Sequence, residues 1–495
     1  MGFITVCLLG LVLATVLWMI VKRLTSKKLS LPPAPEESLP LLGHLFTFLQ
    51  RPEVESNDDF YLNKVSAKLG DVYMLNLAGT FAYIVSNQEL AKTALTHPNT
   101  QNRPSNKSHK RAFGPRARGI ILCDGEQWKT IRKFVLELFR HLGVGRARFE
   151  DVITAETDRL VVDLNNSADK EPIPDLLHRI QRAIMNIVSG IILGKQFDYD
   201  DPAFKDMLHI IESYLRLTGP SGPDSFALLL PFGRGAELRQ CMAEFKKLCE
   251  DTVKDHTGVT EHGNQSDFVG AFLKEMDQRS DDKDECFNLE NLMACCLDMF
   301  VAGVDTVASG LTYTIMCITT HPEVQERCYE EIDKMIGRDR KPTFADKDKL
   351  PYLQAVISES LRIANVAPFG APHVAEKDLE MFGYDVPKGT MFIVNYGGIF
   401  FNEENYPDPK LFQPERFMED GAYKKDPDFF PFSVGSRACP GEQLARMELY
   451  LFVSRLLQQF RFEVPDGSET PNIHLGTSGG TRSPLPYPVN IVKRS

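Results

Sequence analysis

The longest uninterrupted apolar run lies at the N-terminus, where residues 3–21 read FITVCLLGLVLATVLWMIV without a charged side chain. As a helix this run spans about 28 Å, which is enough to cross the hydrocarbon core of a bilayer. Four of the seven residues 22–28 are Lys or Arg, so positive charge follows the run, whereas a cleavable signal peptide carries it in front. The pattern predicts an uncleaved transmembrane anchor over residues 1–21, with the chain after it in the cytosol. A buried core helix is the alternative.

The segment after the anchor is basic and then rich in proline. Residues 31–45 read LPPAPEESLPLLGHL, and their four prolines favour an extended, stiff chain over a helix. We therefore expect residues 22–45 to be a linker that holds the remaining body, residues 46–495, at a fixed attitude to the membrane.

Helical patterns dominate from about residue 125 to residue 365. The most apolar of them, residues 288–323, begins near a capping residue at Asn288, ends before Pro322 and is apolar nearly all round. Its length also suits a second membrane span, but Asp298 and Asp305 make that costly. A buried helix is the other interpretation.

A shorter helix is predicted over residues 351–365, where Glu359 and Arg362 share one face. Residues 381–395 indicate two short strands joined by a Pro-Lys-Gly turn. The sequence thus predicts a mainly α (α+β) fold: one large helical domain with small β-sheets near both ends, preceded by one N-terminal transmembrane helix.

The composition of the chain argues against several classes of function and of site. The 43% apolar and 25% charged residues are ordinary for a globular protein, and a net charge of −11 without a basic block argues against nucleic acid as a partner. The ten cysteines form no CxxC pair, so neither a zinc site nor a disulfide framework is indicated. The segment GVGRAR, residues 143–148, lacks the third glycine of a dinucleotide-binding fingerprint, so it does not indicate a nicotinamide or flavin site.

One cysteine has unusual neighbours, in PFSVGSRACPGE at residues 431–442. Pro440 suits the first position of a helix and Glu442 its first turn. Cys439 would then lie beside free backbone N–H groups and the positive end of the helix dipole. We expect this position to lower the pKa of its thiol and favour thiolate.

The residues around Cys439 predict what the sulfur faces. Gly435 and Gly441 would let the backbone approach something large and flat, and Arg437 could pair with an anionic group on it. Phe432 could shield the sulfur from water. A thiolate facing a flat anionic ligand predicts haem, with Cys439 as the axial ligand of the iron.

The same five positions reproduce the pattern F-x-x-G-x-R-x-C-x-G, so the chain resembles the cytochromes P450. The resemblance covers essentially the whole chain; the anchor, the linker and PGEQLARMELYLF after the cysteine look most like the microsomal drug- and steroid-hydroxylating clan. It implies a P450-type catalytic domain over residues 46–495 and haem b as cofactor. It also implies an ion-pair network of Glu359, Arg362 and Arg416 on the cysteine side of the haem. The residues implied to bind its propionates are Trp128, Arg132, His373 and Arg103.

On the other face of the haem, the resemblance places AGVDT, residues 302–306, in a buried helix. It implies that Gly303 leaves room for dioxygen and that Asp305 and Thr306 are catalytic residues that supply protons. Many relatives carry Thr or Ser where this chain has Val307.

The resemblance implies a monooxygenase that inserts one atom of O2 into a lipophilic substrate, such as a steroid, fatty acid or xenobiotic. Electrons would come from NADPH only indirectly, through a flavoprotein reductase, with cytochrome b5 as a second candidate donor. The enzyme would lie on the endoplasmic reticulum membrane with its catalytic domain in the cytosol. The residues implied to line the substrate pocket are Phe113, Phe226, Phe300, Ala302, Val366, Phe369 and Thr477.

Two other functions fit a haem-thiolate fold: an isomerase or dehydratase, and a non-enzymatic haem- or sterol-binding membrane protein. Neither needs an Asp/Thr proton path, and this chain retains one. For the reductase, Lys129, Lys133, Arg140 and Arg446 are expected to form a local basic patch near the cysteine side.

Overall fold

The computed structural model describes residues 29–40, 42–45, 54–56, 61–104, 110, 113–114, 116–143, 147–218, 232–257, 267–279, 286–477 and 480–494. The predicted anchor, residues 1–21, lies outside the described residues.

Helices make up most of the described chain. In order they are α1 Tyr61–Leu69, α2 Gln88–Thr96, α3 Gly125–Leu142, α4 Ala147–Asn165, α5 Leu176–Leu193, α6 Pro202–Thr218, α7 Arg234–Thr257, α8 Phe268–Gln278, α9 Leu289–Thr320, α10 Pro322–Met335, α11 Pro351–Ala364, α12 Tyr396–Phe400 and α13 Glu442–Gln459. Short 3-10 turns lie at Pro98–Thr100, Phe344–Lys349 and Pro414–Phe417.

The strands are short. They are β1 Val54–Ser56, β2 Val72–Leu77, β3 Thr80–Val85, β4 His373–Val374, β5 Leu379–Met381, β6 Tyr384–Val386, β7 Met391–Val394, β8 Met418–Glu419, β9 Ala422–Tyr423, β10 Phe460–Glu463, β11 Leu475–Thr477 and β12 Asn490–Lys493. Within the described residues the largest sheet has the order β2-β3-β7-β4, in which β3 and β7 are parallel and the other pairs antiparallel. Antiparallel pairs β1–β11, β5–β6, β8–β9 and β10–β12 complete the sheets. The mainly α fold with small sheets is confirmed.

The predicted pair of strands in residues 381–395 is present, but its members belong to different sheets. β6 pairs with β5, whereas β7 lies between β3 and β4. The Pro-Lys-Gly turn therefore carries the chain from one sheet to another and does not close a hairpin.

The long apolar helix α9 runs through the centre of the molecule. Asn288 caps it by accepting a hydrogen bond from the N–H of Asn291, as its sequence predicts. The helix packs against α5, α11 and α13, so its apolar residues find cover on nearly every side. Within the described part of the chain it is the one helix long and apolar enough to cross a membrane, yet 72% of its most apolar stretch is buried inside the protein. It is a core helix.

The proline-rich segment is attached to the body. The N–H of Met74 on β2 donates to the carbonyl of Pro33 at 2.8 Å, and the N–H of Asp385 donates to the carbonyl of Ser30 at 2.8 Å. The ring of His44 accepts a hydrogen bond from the N–H of Asn76 at 2.9 Å. The described part of the predicted linker therefore lies on the sheets and does not hang free.

Candidate active site

The loop before α13 presents Cys439. The N–H of Cys439 donates to the carbonyl of Phe432 at 2.9 Å and closes the loop. Helix α13 begins at Glu442 with Gly441 as its N-cap, so the predicted start at Pro440 is two residues too early. Of the nine described cysteines, eight are buried and Cys439 alone is exposed. It is the thiol that a ligand can reach.

The sequence predicted a lowered pKa for the Cys439 thiol, and this prediction is wrong. The pKa is raised, with burial as the largest cause. Cys439 is exposed, yet enough protein surrounds its sulfur to weaken the hydration of the thiolate. The N–H groups of Gly441 and Glu442 and the guanidinium of Arg132 act in the opposite direction and are outweighed. A metal cation bonded to the sulfur would deprotonate it outright.

The glycines of the loop serve different purposes. Gly435 has φ +83°, and a Cβ there would lie 2.9 Å from the carbonyl oxygen of Leu95 at the end of α2. Its first role is thus the turn and the contact with α2. At Gly441 a Cβ would lie 3.9 Å from the sulfur of Cys439, so glycine leaves the space beside the sulfur open. The ring of Phe432 has the guanidinium of Arg446 4.8 Å from its centre.

Arginine and tryptophan side chains gather beside the cysteine loop. The guanidinium of Arg437 stacks 3.7 Å from the ring centre of Trp128 on α3. Its Nε and Nη2 donate to the carbonyls of Gln101 and Cys123 at 2.9 and 2.7 Å. Arg132, one turn along α3, donates to the carbonyl of Ala438 at 2.6 Å, next to the cysteine itself.

Three buried nitrogens in this region have no hydrogen-bond partner among the described residues: Nε1 of Trp128, Nη1 of Arg437 and Nδ1 of His373. Burial lowers the pKa of Arg437 to about 10, and burial together with Arg103 lowers that of His373 to about 3. Cationic side chains are thus crowded, with Asp124 3.4 Å from Arg437 as a carboxylate partner. Nε1 of Trp128 and Nη1 of Arg437 are donors, and buried donors without acceptors are costly, whereas the neutral ring of His373 carries a proton on only one of its two nitrogens. The set is therefore suited to an anionic ligand that lies in front of Cys439, and the two carboxylates of haem fit it.

Arg103 contributes differently from its predicted role. Its Nη1 donates to the carbonyls of Ala371 and Pro372 at 2.6 and 2.9 Å, and its Nε donates to that of Ile121 at 3.2 Å. Burial lowers its pKa to about 9. Most of its donors hold loops together and are not available to a ligand.

Behind the cysteine loop lies a buried ion pair. Nε and Nη2 of Arg362 donate to the carboxylate of Glu359 at 2.7 and 2.8 Å, and neither side chain is exposed. Arg416 approaches the same carboxylate at 3.4 Å, and the N–H of Gln413 donates to it at 3.0 Å. The structure therefore brings together the three residues expected to form the network, and ties α11 to the segment before the cysteine loop.

On α9 the predicted proton path is only partly assembled. Thr306 is half-buried, and its hydroxyl donates to the carbonyl of Ala302 at 2.5 Å. Asp305 is 7% exposed and accepts a hydrogen bond from Thr481 at 2.5 Å. Among the described residues no hydrogen bond joins Asp305 to Thr306. Burial raises the pKa of Asp305, which the hydroxyl of Thr481 counteracts.

Gly303 has a packing role that the sequence did not reveal. A Cβ at this position would lie 3.1 Å from Cγ2 of Val188 on α5. The missing side chain lets α5 approach α9 closely, so the expectation that Gly303 leaves room for dioxygen is not what its geometry shows. Ala302 beside it is exposed, although most of α9 is buried.

The predicted substrate-pocket residues divide into two groups. Phe113 and Phe300 are 3% and 1% exposed and belong to the main core, whereas Ala302 and Thr477 are exposed. Phe300 lies about 200° around α9 from Ala302, so the two do not face the same space. Val366 and Phe369 are partly buried, and Phe226 lies outside the described residues.

Sequence reasoning named Thr477 but missed the residues that follow it in the C-terminal loop, Thr481, Arg482 and Ser483. Arg482 is fully buried, and its Nη1 donates to the carbonyl of Ala364 at 2.8 Å. A short polar loop has no motif that would have drawn attention to it.

Comparison with known proteins agrees with this geometry. The family model described as Cytochrome P450 matches residues 32–491. The chain is 34% identical to cytochrome P450 2J3 of Rattus norvegicus over 88% of this chain and 86% of that protein. It is 32% identical to cytochrome P450 2J1 of Oryctolagus cuniculus over 95% and 93%, and 33% identical to cytochrome P450 2D6 of Homo sapiens over 94% and 93%.

The chain belongs to the cytochrome P450 family. It is a haem-thiolate monooxygenase with haem b as its cofactor, and it acts on lipophilic organic substrates with O2 and electrons from a redox partner. The predicted family, fold, reaction and cofactor are confirmed.

Proposed function

We propose that Cys439 would hold the haem iron through its thiolate, and that Trp128, Arg437 and His373 would hold the haem propionates. The observation that carries this proposal is the set of three buried nitrogens without partners in the described structure, beside an exposed cysteine. Thiolate-ligated haem supplies the binding and cleavage of O2. The protein supplies the donors, the orientation and the protons.

In this proposal Arg132 keeps the loop in place through its hydrogen bond to Ala438. Gly441 leaves space beside the sulfur, and the N–H groups of residues 441 and 442 would stabilise the negative charge of a thiolate at Cys439. Glu359, Arg362 and Arg416 act at a distance by fixing the segment before this loop.

Thr306 and Asp305 are proposed to be the residues that deliver protons during the reaction. The hydroxyl of Thr306 donates to the carbonyl of Ala302, an exposed residue, so a ligand beside this turn of α9 could accept a hydrogen bond from it. Asp305 retains a proton to a higher pH than an exposed carboxyl does, because burial raises its pKa. A small rotation of the Thr306 hydroxyl away from Ala302 would make it a general acid.

We propose a membrane-bound, NADPH-dependent flavoprotein reductase as the electron donor, with cytochrome b5 as a second donor. Lys129 and Lys133 on α3 are exposed and would face the partner; their acidic neighbours Glu126 and Glu137, at 2.6 and 4.0 Å, reduce the net charge of this patch. Arg446 pairs with Glu442 at 2.9 Å. Opposite charges on the partner would speed docking.

We propose that residues 1–21 anchor the enzyme in the endoplasmic reticulum membrane, with the catalytic domain in the cytosol. The contacts of Ser30 and Pro33 with the sheets support a fixed orientation of the body, because they hold the described chain against it from residue 30 onward.

The proton path is tested by Thr306→Ala, with Thr306→Ser as the matched control. Reconstituted with reductase, Thr306→Ala should bind haem and still consume NADPH, while its products shift from oxidised substrate to hydrogen peroxide. A positioned proton donor contributes about 10²–10⁴-fold, so the shift should be large. Equal product per NADPH in wild type and Thr306→Ala would refute the role of Thr306.

A further inference from the structure

The carboxylate of Asp305 is held by a residue far along the chain. The hydroxyl of Thr481 donates to its Oδ2 at 2.5 Å, and Asp305 has only 7% of its surface exposed. No other hydrogen bond to this carboxylate is present among the described residues. The orientation of Asp305 therefore depends on one donor, and that donor lies on the C-terminal loop, of which the structure describes residues 475–477 and 480–484.

The C-terminal loop is fixed to α9 independently of that contact. The hydroxyls of Ser483 and Ser309 lie 2.8 Å apart, and the hydroxyl of Tyr313 donates to the carbonyl of Leu475 at 3.0 Å. Asp305, Ser309 and Tyr313 are spaced four residues apart, so the loop follows one face of α9 over two turns. A Cβ at Gly476 would collide with the hydroxyl of Tyr313. The loop therefore holds Thr481 at a defined place.

The same loop reaches the predicted substrate pocket. The N–H of Thr477 donates to the carbonyl of Ser483 at 2.9 Å, and the N–H of Ser483 donates to the hydroxyl of Thr477 at 3.0 Å. Thr477 is exposed, whereas Thr481 is turned inward to Asp305. This short, internally bonded segment thus exposes Thr477, a predicted pocket residue, and directs Thr481 to the buried carboxyl group of Asp305.

We propose that Thr481 is a positioning residue for the monooxygenase reaction: its hydroxyl fixes where the carboxyl group of Asp305 points. This inference rests on the proposed role of Asp305 in proton delivery. Glu212 on α6, itself 3.4 Å from His178, is the charged group whose field acts on Asp305, and it opposes ionisation. Thr481 acts in the opposite direction.

The test compares Thr481→Val, which keeps the shape and loses the donor, with Thr481→Ser, which keeps the donor. Ser483→Ala is the matched control, because it breaks the neighbouring contact with Ser309 without touching Asp305. In each haem-loaded variant, the protonated carboxyl of Asp305 is followed by infrared spectroscopy as a function of pH. The spectrum of Asp305→Asn in the same background identifies its band.

In Thr481→Val the midpoint of the Asp305 titration should rise by about one pH unit, a tenfold change in the ratio of protonated to ionised carboxyl. Thr481→Ser and Ser483→Ala should titrate like the wild type. An unchanged midpoint in Thr481→Val would overturn the proposal. So would an equal rise in Ser483→Ala, because the cause would then be general loosening of the loop, or an equal rise in Thr481→Ser.

Product formed per NADPH separates this inference from the proposed function. If Asp305→Asn couples as the wild type does while Thr481→Val shifts the titration, the proton path is wrong and the positioning of Asp305 by Thr481 stands. If Asp305→Asn uncouples while Thr481→Val leaves the titration unchanged, the proton path stands and the inference about Thr481 is wrong.

Discussion

Replacing Glu359 by glutamine should destabilise the protein far more than its small change in size suggests. The carboxylate receives two hydrogen bonds from Arg362, at 2.7 and 2.8 Å, and one from the N–H of Gln413 at 3.0 Å. Neither Glu359 nor Arg362 is exposed. Glutamine keeps the shape and one acceptor, but it leaves a buried guanidinium without a counter-charge.

The structure allows the size of this effect to be worked out. The other hydrogen bonds of Arg362 are to the carbonyls of Phe400 and Leu411, at 2.7 and 3.4 Å, and its guanidinium lies over the rings of Phe401 and Tyr406; none of these groups supplies a full negative charge. Removing one partner of a buried ion pair costs about 3–5 kcal/mol. Arg416, 3.4 Å from the carboxylate, also loses its partner, so we expect Glu359→Gln to fall within this range.

The change in the free energy of unfolding is measured on the haem-loaded protein by denaturation with guanidinium chloride, followed by circular dichroism. Glu463→Gln is the matched control, because Glu463 pairs with Arg461 at 2.6 Å on the surface, where ion pairs contribute little. The midpoint should fall clearly for Glu359→Gln and hardly move for Glu463→Gln. Equal midpoints for the two variants would refute the reasoning that burial makes this pair indispensable.

Two further predictions concern pH and charge. Burial raises the pKa of Asp298 from 3.8 to about 7, so its contribution to stability is present below pH 3.8 and is lost as the pH rises through 7. The melting temperature of the wild type minus that of Asp298→Asn should therefore decrease from pH 5 to pH 8, and a pH-independent difference would contradict this. Reversing the charge of Lys129 and Lys133 should slow the reductase-supported rate and weaken its dependence on salt. A rate insensitive to both changes would exclude electrostatic docking at this patch.

Local signals in the sequence predicted the long elements well. The cap at Asn288 and the helix-breaking Pro322 bracket α9 to within two residues, because capping and proline act on the adjacent backbone. The helix start predicted from Pro440 was wrong. Proline is compatible with a first helical turn, but the loop that presents Cys439 continues to Gly441. A local preference is not a requirement when tertiary contacts decide.

The residues of the candidate active site also fall into those that the sequence predicted and those that only the fold brings together. Cys439 and its neighbours lie within one short segment, so their pattern could be interpreted from the sequence. Trp128 and Arg437 are more than 300 positions apart, and only the fold stacks them at 3.7 Å. Their grouping was predicted through resemblance alone. Thr481 carries no motif, and its contact with Asp305 depends on how the C-terminal loop follows α9.

The most direct measurement is the absorption spectrum of the reduced protein with carbon monoxide. If Cys439 is the axial ligand, the wild type should show the strongly red-shifted Soret band of thiolate-ligated haem, and Cys439→Ser should lose it. The matched control is Cys123→Ser. Cys123 is buried, and its backbone carbonyl accepts a hydrogen bond from Arg437, so this variant should keep the band. A red-shifted band that persists in Cys439→Ser would contradict the assignment of the iron ligand.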